Sequence, residues 1–512
     1  MSEQHTFYSL TGTQLPALET LEGGGLRVQQ TVEQNFLRSY LDTADWRLFN
    51  SGSALELREY PDRLVLIWRD LDNAHDRFTA TLAAMPRTAA DIVAEDFRSD
   101  LKRVTKGRAL RVIVAEQVTS QALKLIDAAA NRGLRIDLEV TQNEHSVESD
   151  DQHIYARLRF AGDANNLSRD LLRRAESTLG LQPLEQDPLR QLLSTQGIEP
   201  LRGSKNPKLP RTVDDFITAL ARVELDLLEL LEQQEAGLFE DADPEFLHDF
   251  RIACRRSRTL LPELERSLPA KQRQSINADF SWLSRLSGPL RDLDVVLAEF
   301  DELTKRSGDS RGALEPLRVI LINARQQHFE AMLSALASRR YGKFKRTWRR
   351  NLDRLIAKPG RRGLHKPAAK ALKKAYRRVI KQVARLQDHI ELEAFHELRK
   401  RCKRLRYRLD AFRSLYPTEE VQLAIRTLKD FQDALGRIND LHVQGQLFSS
   451  AIEQLDNSAA RHEATVARAT HLVEILNEEM SDLLSHLQDA LNEFAAPHHQ
   501  TRFQQLIEAG YQ

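Results

Sequence analysis

His248-Asp-Phe-Arg251-Ile-Ala-Cys254-Arg255-Arg256-Ser-Arg258 returns 148 residues later as His396-Glu-Leu-Arg399-Lys-Arg-Cys402-Lys403-Arg404-Leu-Arg406. Histidine, arginine, cysteine and the trailing cations keep the same offsets in both copies. At about 100° per residue, the histidine and the cations three, seven and ten positions on fall within a sector of about 80° on a helix. His248, Arg251, Arg255 and Arg258 then form one cationic stripe, and His396, Arg399, Lys403 and Arg406 a second, with Arg256 and Arg404 beside them. The chemistry such stripes can do is multidentate anion binding. Arginine makes forked contacts to paired oxygens and lysine presents a point charge. One exposed ion pair contributes only about 0–1 kcal/mol, so affinity must come from many contacts and from released counterions.

Each histidine admits three readings. A metal site lacks a second His or Cys at ligand spacing, and acid–base catalysis lacks a nucleophile and an orienting partner within the motif. A phosphate contact, strengthened by protonation, or a helix-packing hydrogen bond remains. The contact reading predicts tighter anion binding as pH falls from about 8 to about 6. Asp292, Asp294, Asp430, Asp433 and Asp440 lie among arginines and read as structural ion pairs rather than a metal cluster.

The net charge of +1 hides an uneven distribution. Residues 1–200 carry 23 Lys+Arg against 30 Asp+Glu, and residues 201–512 carry 52 against 44. Residues 339–413 alone hold 27 against 6. Such an excess repels itself unless an anion is near, which points to a polyanion partner. Lys366, Lys370, Lys373, Lys374, Arg377, Arg378 and Lys381 make a further basic helix before the second copy, in which periodicity singles out no individual residue.

The elements that must carry these residues fall into two textures. Ala54–Arg58, Leu64–Trp68, Leu110–Val114, Leu134–Val140 and Ile154–Phe160 alternate or cluster apolar residues as strands do, which suggests an antiparallel α+β domain over residues 1–200. A Pro- and Gly-containing linker follows at 201–212. From 213 to 500 helical periodicity takes over, with Leu247, Phe250, Cys254, Leu261 and Leu264 on one side of the first motif. Phe395, Leu398, Cys402, Leu405, Leu409 and Phe412 do the same for the second, and 501–512 form a C-terminal tail. The repeat extends to a second motif, because Gly288-Pro-Leu-Arg291-Asp292-Leu-Asp294-Val realigns with Gly436-Arg437-Ile-Asn-Asp440-Leu-His442-Val. One offset serving two motifs predicts a duplicated helical bundle whose cationic stripes meet at a shared surface.

With 512 residues and 41% hydrophobic content the chain can bury more than one core. No apolar run reaches the length of a membrane span, the polar start does not read as a secretory signal, and Cys254 and Cys402 are its only cysteines. A reducing, cytoplasmic setting is expected, with both thiols as small buried side chains.

The two repeated motifs resemble the CHAD family, the conserved histidine α-helical domain. The resemblance implies an all-helical domain of two similar bundles whose basic surface binds inorganic polyphosphate, in the cytoplasm and at polyphosphate granules. It would place His248, Arg251, Arg255, Arg256, Arg258, His396, Arg399, Lys403, Arg404 and Arg406 at that surface. Arg291 and Arg437 match the second motif, where Pro289 and Asn439 stand in place of a further arginine in each copy. Residues Tyr40-Leu-Asp42-Thr43 through Leu57-Arg58 resemble the CYTH family, a triphosphate tunnel fold, which implies an α+β antiparallel tunnel before the helices. Its catalytic acids are not matched: no Glu-x-Glu-x-Lys precedes Tyr40, Glu56 replaces an arginine, and the strand expected to alternate glutamates reads Tyr155-Ala-Arg157-Leu-Arg159. Glu19, Glu22 and Glu33 have the wrong spacing, and arginines would repel the magnesium that needs oxygen ligands. The expectation is a degenerate tunnel without triphosphatase activity, cofactor or metal, in which Arg58, Arg157 and Arg159 could still hold an anion. A metal-dependent triphosphatase is the alternative. Nucleic-acid binding is a third reading, weakened because Trp348, Tyr376 and Tyr407 are sparse as stacking platforms.

Overall fold

A computed structural model describes residues 5–10, 26–30, 33–72, 75–127, 132–143, 152–161, 177, 181–200, 206–309, 312–360, 363–388, 391–455 and 462–510. Glu19, Glu22 and the side chains of Arg157 and Arg159 lie outside it. The chain divides into two compact units, Met1–Arg202 and Gly203–Gln512. Among the described residues no helix is long and apolar enough to cross a membrane.

The first unit is a ten-stranded antiparallel sheet. Its strands are β1 (His5–Leu10), β2 (Leu26–Gln30), β3 (Gln34–Thr43), β4 (Ser53–Glu59), β5 (Leu64–Asp70), β6 (Asp76–Leu82), β7 (Leu110–Asp127), β8 (Arg132–Asn143), β9 (Gln152–Ala161) and β10 (Gln182–Pro183). They run in the order β10-β1-β9-β8-β7-β3-β4-β5-β6, with β2 also on β7. The period-two alternation of strands sorts the two faces. Leu41, Leu55, Leu57, Leu66 and Trp68 go to one face, where Phe97 and Leu101 of a covering helix complete a core. Arg38, Tyr40, Glu56, Arg69, Glu116 and Glu139 are buried on the other. The sheet curls until Arg69 of β5 lies over the ring of Phe7 in β1, 5.1 Å from its centroid.

Asp42 explains the Tyr-Leu-Asp-Thr segment at the end of β3. Its carboxylate accepts the backbone N–H of Thr43 at 2.6 Å and those of Leu48 and Phe49 at 2.9 Å. These bonds hold α1 (Arg47–Asn50) directly after Trp46, whose φ of 56° is left-handed for a non-glycine residue. Further helices described in this unit are α2 (Glu95–Thr105) and α3 (Pro188–Thr195).

The second unit is all helical: α4 (Phe216–Gln233), α5 (Glu235–Phe239), α6 (Pro244–Leu264), α7 (Ala270–Arg306), α8 (Glu315–Leu336), α9 (Arg339–Ala357), α10 (His365–Asp388), α11 (Leu392–Phe412), α12 (Thr418–Glu453), α13 (His462–Phe494) and α14 (Pro497–Ala509). The repeat is visible residue by residue. Helices α6 and α11 start 148 positions apart, each is followed by a 3-10 turn at the same offset (Glu265–Ser267 and Arg413–Leu415), and α7 and α12 then begin after Pro269 and Pro417. Proline suits that position because it needs no N–H partner there and fixes its own φ. The first-motif apolar stripe, from Leu247 to Leu264, and the second, from Phe395 to Phe412, are buried. Leu293, Val296 and Phe300 of α7 share a core with Leu317 and Leu321 of α8, Leu441 and Phe448 of α12, and Leu472 and Leu476 of α13, so the two copies are joined through their interiors.

Asp42→Ala removes one acceptor from three backbone donors and should destabilise the first unit by about 1–3 kcal/mol, read as a lower urea midpoint at unchanged slope.

Candidate anion-binding site

The two motif helices, α6 and α11, face a cavity of about 1030 Å³ whose wall is completed by α7 and α10. Twelve Lys and Arg residues line it, against Glu263 and Glu397. Helix α6 contributes Arg251, Arg255 and Arg258; α11 contributes Arg399, Lys400, Arg401, Lys403, Arg404 and Arg408; α10 contributes Lys374, Arg378 and Lys381. The spacing i, i+4, i+7 recurs in α6 and α10, which keeps each set on one helix face while the opposite face is buried.

Few of these charges are neutralised. Glu263 is taken up by Arg408 at 3.2 Å and Glu397 by Arg401 at 3.0 Å. Arg251 donates to the Ser287 hydroxyl at 3.1 Å, and Arg399 lies 3.6 Å from Asp440. Among the described residues no carboxylate comes within ion-pair distance of Arg255, Arg258 or Lys403. The crowding shows in the acid–base equilibria. Burial, followed by the charge of Arg255, brings Arg251 down to about 10. Burial, then Arg399 and Arg255, pushes the Lys403 ammonium down to about 7. Burial chiefly, with Arg404 next, also lowers Arg258. A group of like charges held this way is stabilised by any anion that enters.

Six of the twelve residues singled out from sequence therefore share this cavity: Arg251, Arg255, Arg258, Arg399, Lys403 and Arg404. The other six are not in its lining. Arg256 donates to Asn206 and lies over Tyr407, 5.6 Å from the ring centre. Arg406 sits 5.7 Å from the same ring. Arg291 pairs with Glu245 at 3.1 Å, and Arg437 with Glu479 at 2.6 Å. His248 is half-buried, and burial followed by Arg291 lowers its pKa. His396 has its ring 5.4 Å from that of His442, a neighbour that sequence spacing could not reveal, and burial with that neighbour lowers its pKa as well. Conversely, Lys374, Arg378, Lys381, Lys400, Arg401 and Arg408 line the cavity without having been chosen individually. Their signal was the charge run, but only the packing of α10 selects which of its cations face inward. Asp294 pairs with Arg325 at 2.8 Å, while Asp430 and Asp433 are exposed. Cys254 and Cys402 are buried free thiols, and burial pushes Cys254 up to about 12.

The first unit solves the same problem of buried charge in the opposite way. Arg38 pairs with Glu116 at 3.1 Å and with Glu139; Arg58 with Glu56 at 3.1 Å and Glu139 at 3.4 Å; Arg69 with Glu56 and with Asp187, the latter at 3.0 Å through Nη2. Sequence reasoning noted Glu56 only as the replacement of an arginine and missed Glu116, Glu139 and Asp187, which sit on β7, β8 and at the start of α3, far apart in the chain. A charged residue at an inward position of an otherwise apolar alternation, as Glu116 between Val114 and Val118, was the available sign. Arg58, which the sequence left open as a residue that could hold an anion, is paired with two glutamates. Burial lifts Glu116 to about 7, against the pull of Arg38. This set does not fit a magnesium ion, since each of the four carboxylates already faces an arginine, and no catalytic step follows from it.

Residues 222–449 match the family model of the CHAD domain, and the helical unit carries that domain. An uncharacterized protein of Mycobacterium tuberculosis is 26% identical over 205 residues, a stretch covering 37% of this chain and 38% of the relative's length. Among solved structures, the CHAD domain of the plant Ricinus communis is similar at 26% identity, over 55% of this chain and 93% of that one, with a TM-score of 0.46. A Hippeastrum protein described as an adenylyl cyclase with a dominant triphosphatase activity is similar at 13% identity, over 40% of this chain and 100% of that one, with a TM-score of 0.26.

The closed network in the first unit predicts a large effect from a small change. Arg38→Met leaves Glu116 and Glu139 without their main partner and should destabilise that unit by about 3–5 kcal/mol in chemical denaturation.

Proposed function

We propose that the helical unit binds inorganic polyphosphate, with the cavity between α6, α10 and α11 as the binding site. The observation that carries this reading is the imbalance of the lining: twelve cations against two carboxylates, both carboxylates already paired with arginine. A linear phosphate polymer offers one charge after another and no rings or base edges, which suits repeated arginines and lysines on rigid helices. The CHAD family resemblance supports the same ligand class.

Nucleic acid fits the lining less well. Single strands are held by aromatic stacking, yet Trp348 and Tyr376 are buried outside the lining, and the one aromatic residue described in the lining, Tyr407, is only 6% exposed. On our reading the first unit is not a triphosphatase, because its interior carboxylates are engaged by Arg38, Arg58 and Arg69. Incubation with tripolyphosphate and Mg²⁺ should release no phosphate above the buffer rate; sustained metal-dependent turnover by the purified chain would sink this part of the proposal.

Binding is tested by titrating the full chain with long-chain polyphosphate at several salt concentrations, with duplex DNA as competitor. With about eight contacts engaged, raising salt from about 50 to about 200 mM should weaken binding roughly a thousandfold. Replacing Arg255, Arg399 and Lys403 together by Ala should weaken it by about a hundredfold or more, whereas Arg437→Ala, outside the cavity, should leave it unchanged. Equal loss in both variants, or displacement by DNA at equal phosphate concentration, would overturn the assignment.

The pH dependence has a definite sign. Lys403 titrates near 7 in the protein without an anion, and a bound anion raises that value by favouring the charged form. Binding then takes up a proton, so affinity is highest below about 7 and falls as pH rises through about 7 towards the bound-state value. Lys403→Arg should flatten the profile between about pH 6 and 9, and His396→Gln should not.

A further inference from the structure

We propose that Glu493, His498 and His499 form a binding site for a divalent transition-metal ion, Zn²⁺ foremost, that fastens α14 to the end of α13. The site lies outside both repeated motifs and is independent of polyanion binding. One donor atom from each of the three residues lies within 4.8 Å of the other two. His499 Nε2 is 3.1 Å from Glu493 Oε1, and His498 Nε2 is 3.5 Å from the same oxygen. A tetrahedral ion with bonds of about 2.0–2.1 Å holds its ligands about 3.3–3.4 Å apart, so these two separations already bracket the required spacing. Two imidazoles and one carboxylate suit borderline ions such as Zn²⁺ and not the hard ions that prefer oxygen alone.

The scaffold beneath the three residues is rigid. Glu493 closes the last turn of α13, and His498 and His499 follow Pro497 in the first turn of α14. The corner between them is pinned by Ala496 N–H to Glu493 O at 3.0 Å, His499 N–H to Ala496 O at 3.0 Å, and the Gln500 amide to Ala495 O at 2.7 Å. Beneath it, Phe494 stacks on Phe431 with centroids 4.4 Å apart, and Phe503 on Tyr376 at 4.7 Å. The ligand set is thus held by buried aromatic anchors on both sides, while Glu493 and His498 are exposed and open to an arriving ion. The rings of His498 and His499 lie 4.0 Å apart. Two imidazolium ions at that distance would repel, whereas two neutral rings sharing a metal would not. A shared ion pair to Glu493 is the competing explanation, and it predicts no metal dependence.

The test is a calorimetric titration of the full chain with Zn²⁺ after exhaustive treatment with a chelator, in phosphate-free buffer. One equivalent of Zn²⁺ should bind and raise the Tm. His498→Ala and Glu493→Gln should each weaken binding roughly tenfold or more, and His498→Ala/His499→Ala should abolish both the binding and the Tm shift. His486→Ala, elsewhere on α13, should bind as the parent does. Far-ultraviolet circular dichroism confirms that each variant is helical, and should the double variant fail to fold, the exposed single change His498→Ala decides the matter. Unchanged zinc affinity in His498→Ala and Glu493→Gln, or no uptake by the parent chain, would overturn the proposal.

Discussion

The helical unit depends on holding mutually repelling cations at the junction of α6 and α11. Each motif helix presents an apolar stripe and, partly overlapping it, a cationic one. The apolar stripe has no choice but to enter the core, and when both do so the cationic stripes are brought to one cavity whether or not their charges agree. After burial and Arg399, the charge of Arg255 on α6 also depresses Lys403 on α11, so the two helices approach closely enough for their cations to repel. What offsets that repulsion is the burial of Leu247, Phe250, Leu398 and Phe412, together with the joint core of α7, α8, α12 and α13. At about 1.5–3 kcal/mol for each large apolar side chain, such burial can support a few unfavourable charge contacts.

The same residue types give the opposite result in the sheet unit. Arg38 and Arg69 are more deeply buried than any cation of the helical cavity, with Arg58 half-buried beside them, but four carboxylates are threaded between them. Coulomb attraction there is spent within the protein, and removing one member leaves another charge stranded. In the helical cavity the counter-charge is largely missing, so attraction remains available to a ligand. Net charge by itself distinguishes neither case. The informative quantity is whether each buried cation has a partner on a neighbouring element, and that is set by register: Arg38 is opposite Glu116 across β3 and β7, whereas Arg255 and Lys403 face each other across two copies of the same helix.

Much of this organisation was legible in the chain. Apolar runs such as Leu64–Trp68 announced their strands, while Gln34–Thr43 and Asp76–Leu82 did not. In the former, Arg38 occupies an inward position that an ordinary strand would fill with an apolar side chain; the latter is a half-exposed edge of the sheet with little apolar signal. The 148-residue repeat identified the motif helices and six cavity cations, because a helical period fixes which residues share a face. It could not say which equivalent residues share an environment. Arg258 and Arg406 have the same offset, yet Arg258 lines the cavity and Arg406 lies over Tyr407. Arg256 and Arg404 differ in the reverse sense, with Arg404 in the lining and Arg256 held by Asn206. A third helix, α10, closes the cavity from one side only, and this tertiary asymmetry has no counterpart in the repeat.

One asymmetry of the repeat is written in the sequence and acquires its meaning only from the cavity. Arg255 of the first copy corresponds to Lys403 of the second, and both face the same space. Arginine keeps its proton throughout the neutral range, so two arginines here would impose a permanent repulsion at neutral pH on the protein without an anion. Lysine can, and with burial and two guanidinium neighbours it titrates near 7. On the proposed anion-binding reading, the protein relaxes one charge of the pair when no anion is present and regains it when one arrives. Proton uptake then accompanies binding, and the difference between two otherwise equivalent positions becomes a means of storing less electrostatic strain in the folded state than its full complement of cations would require.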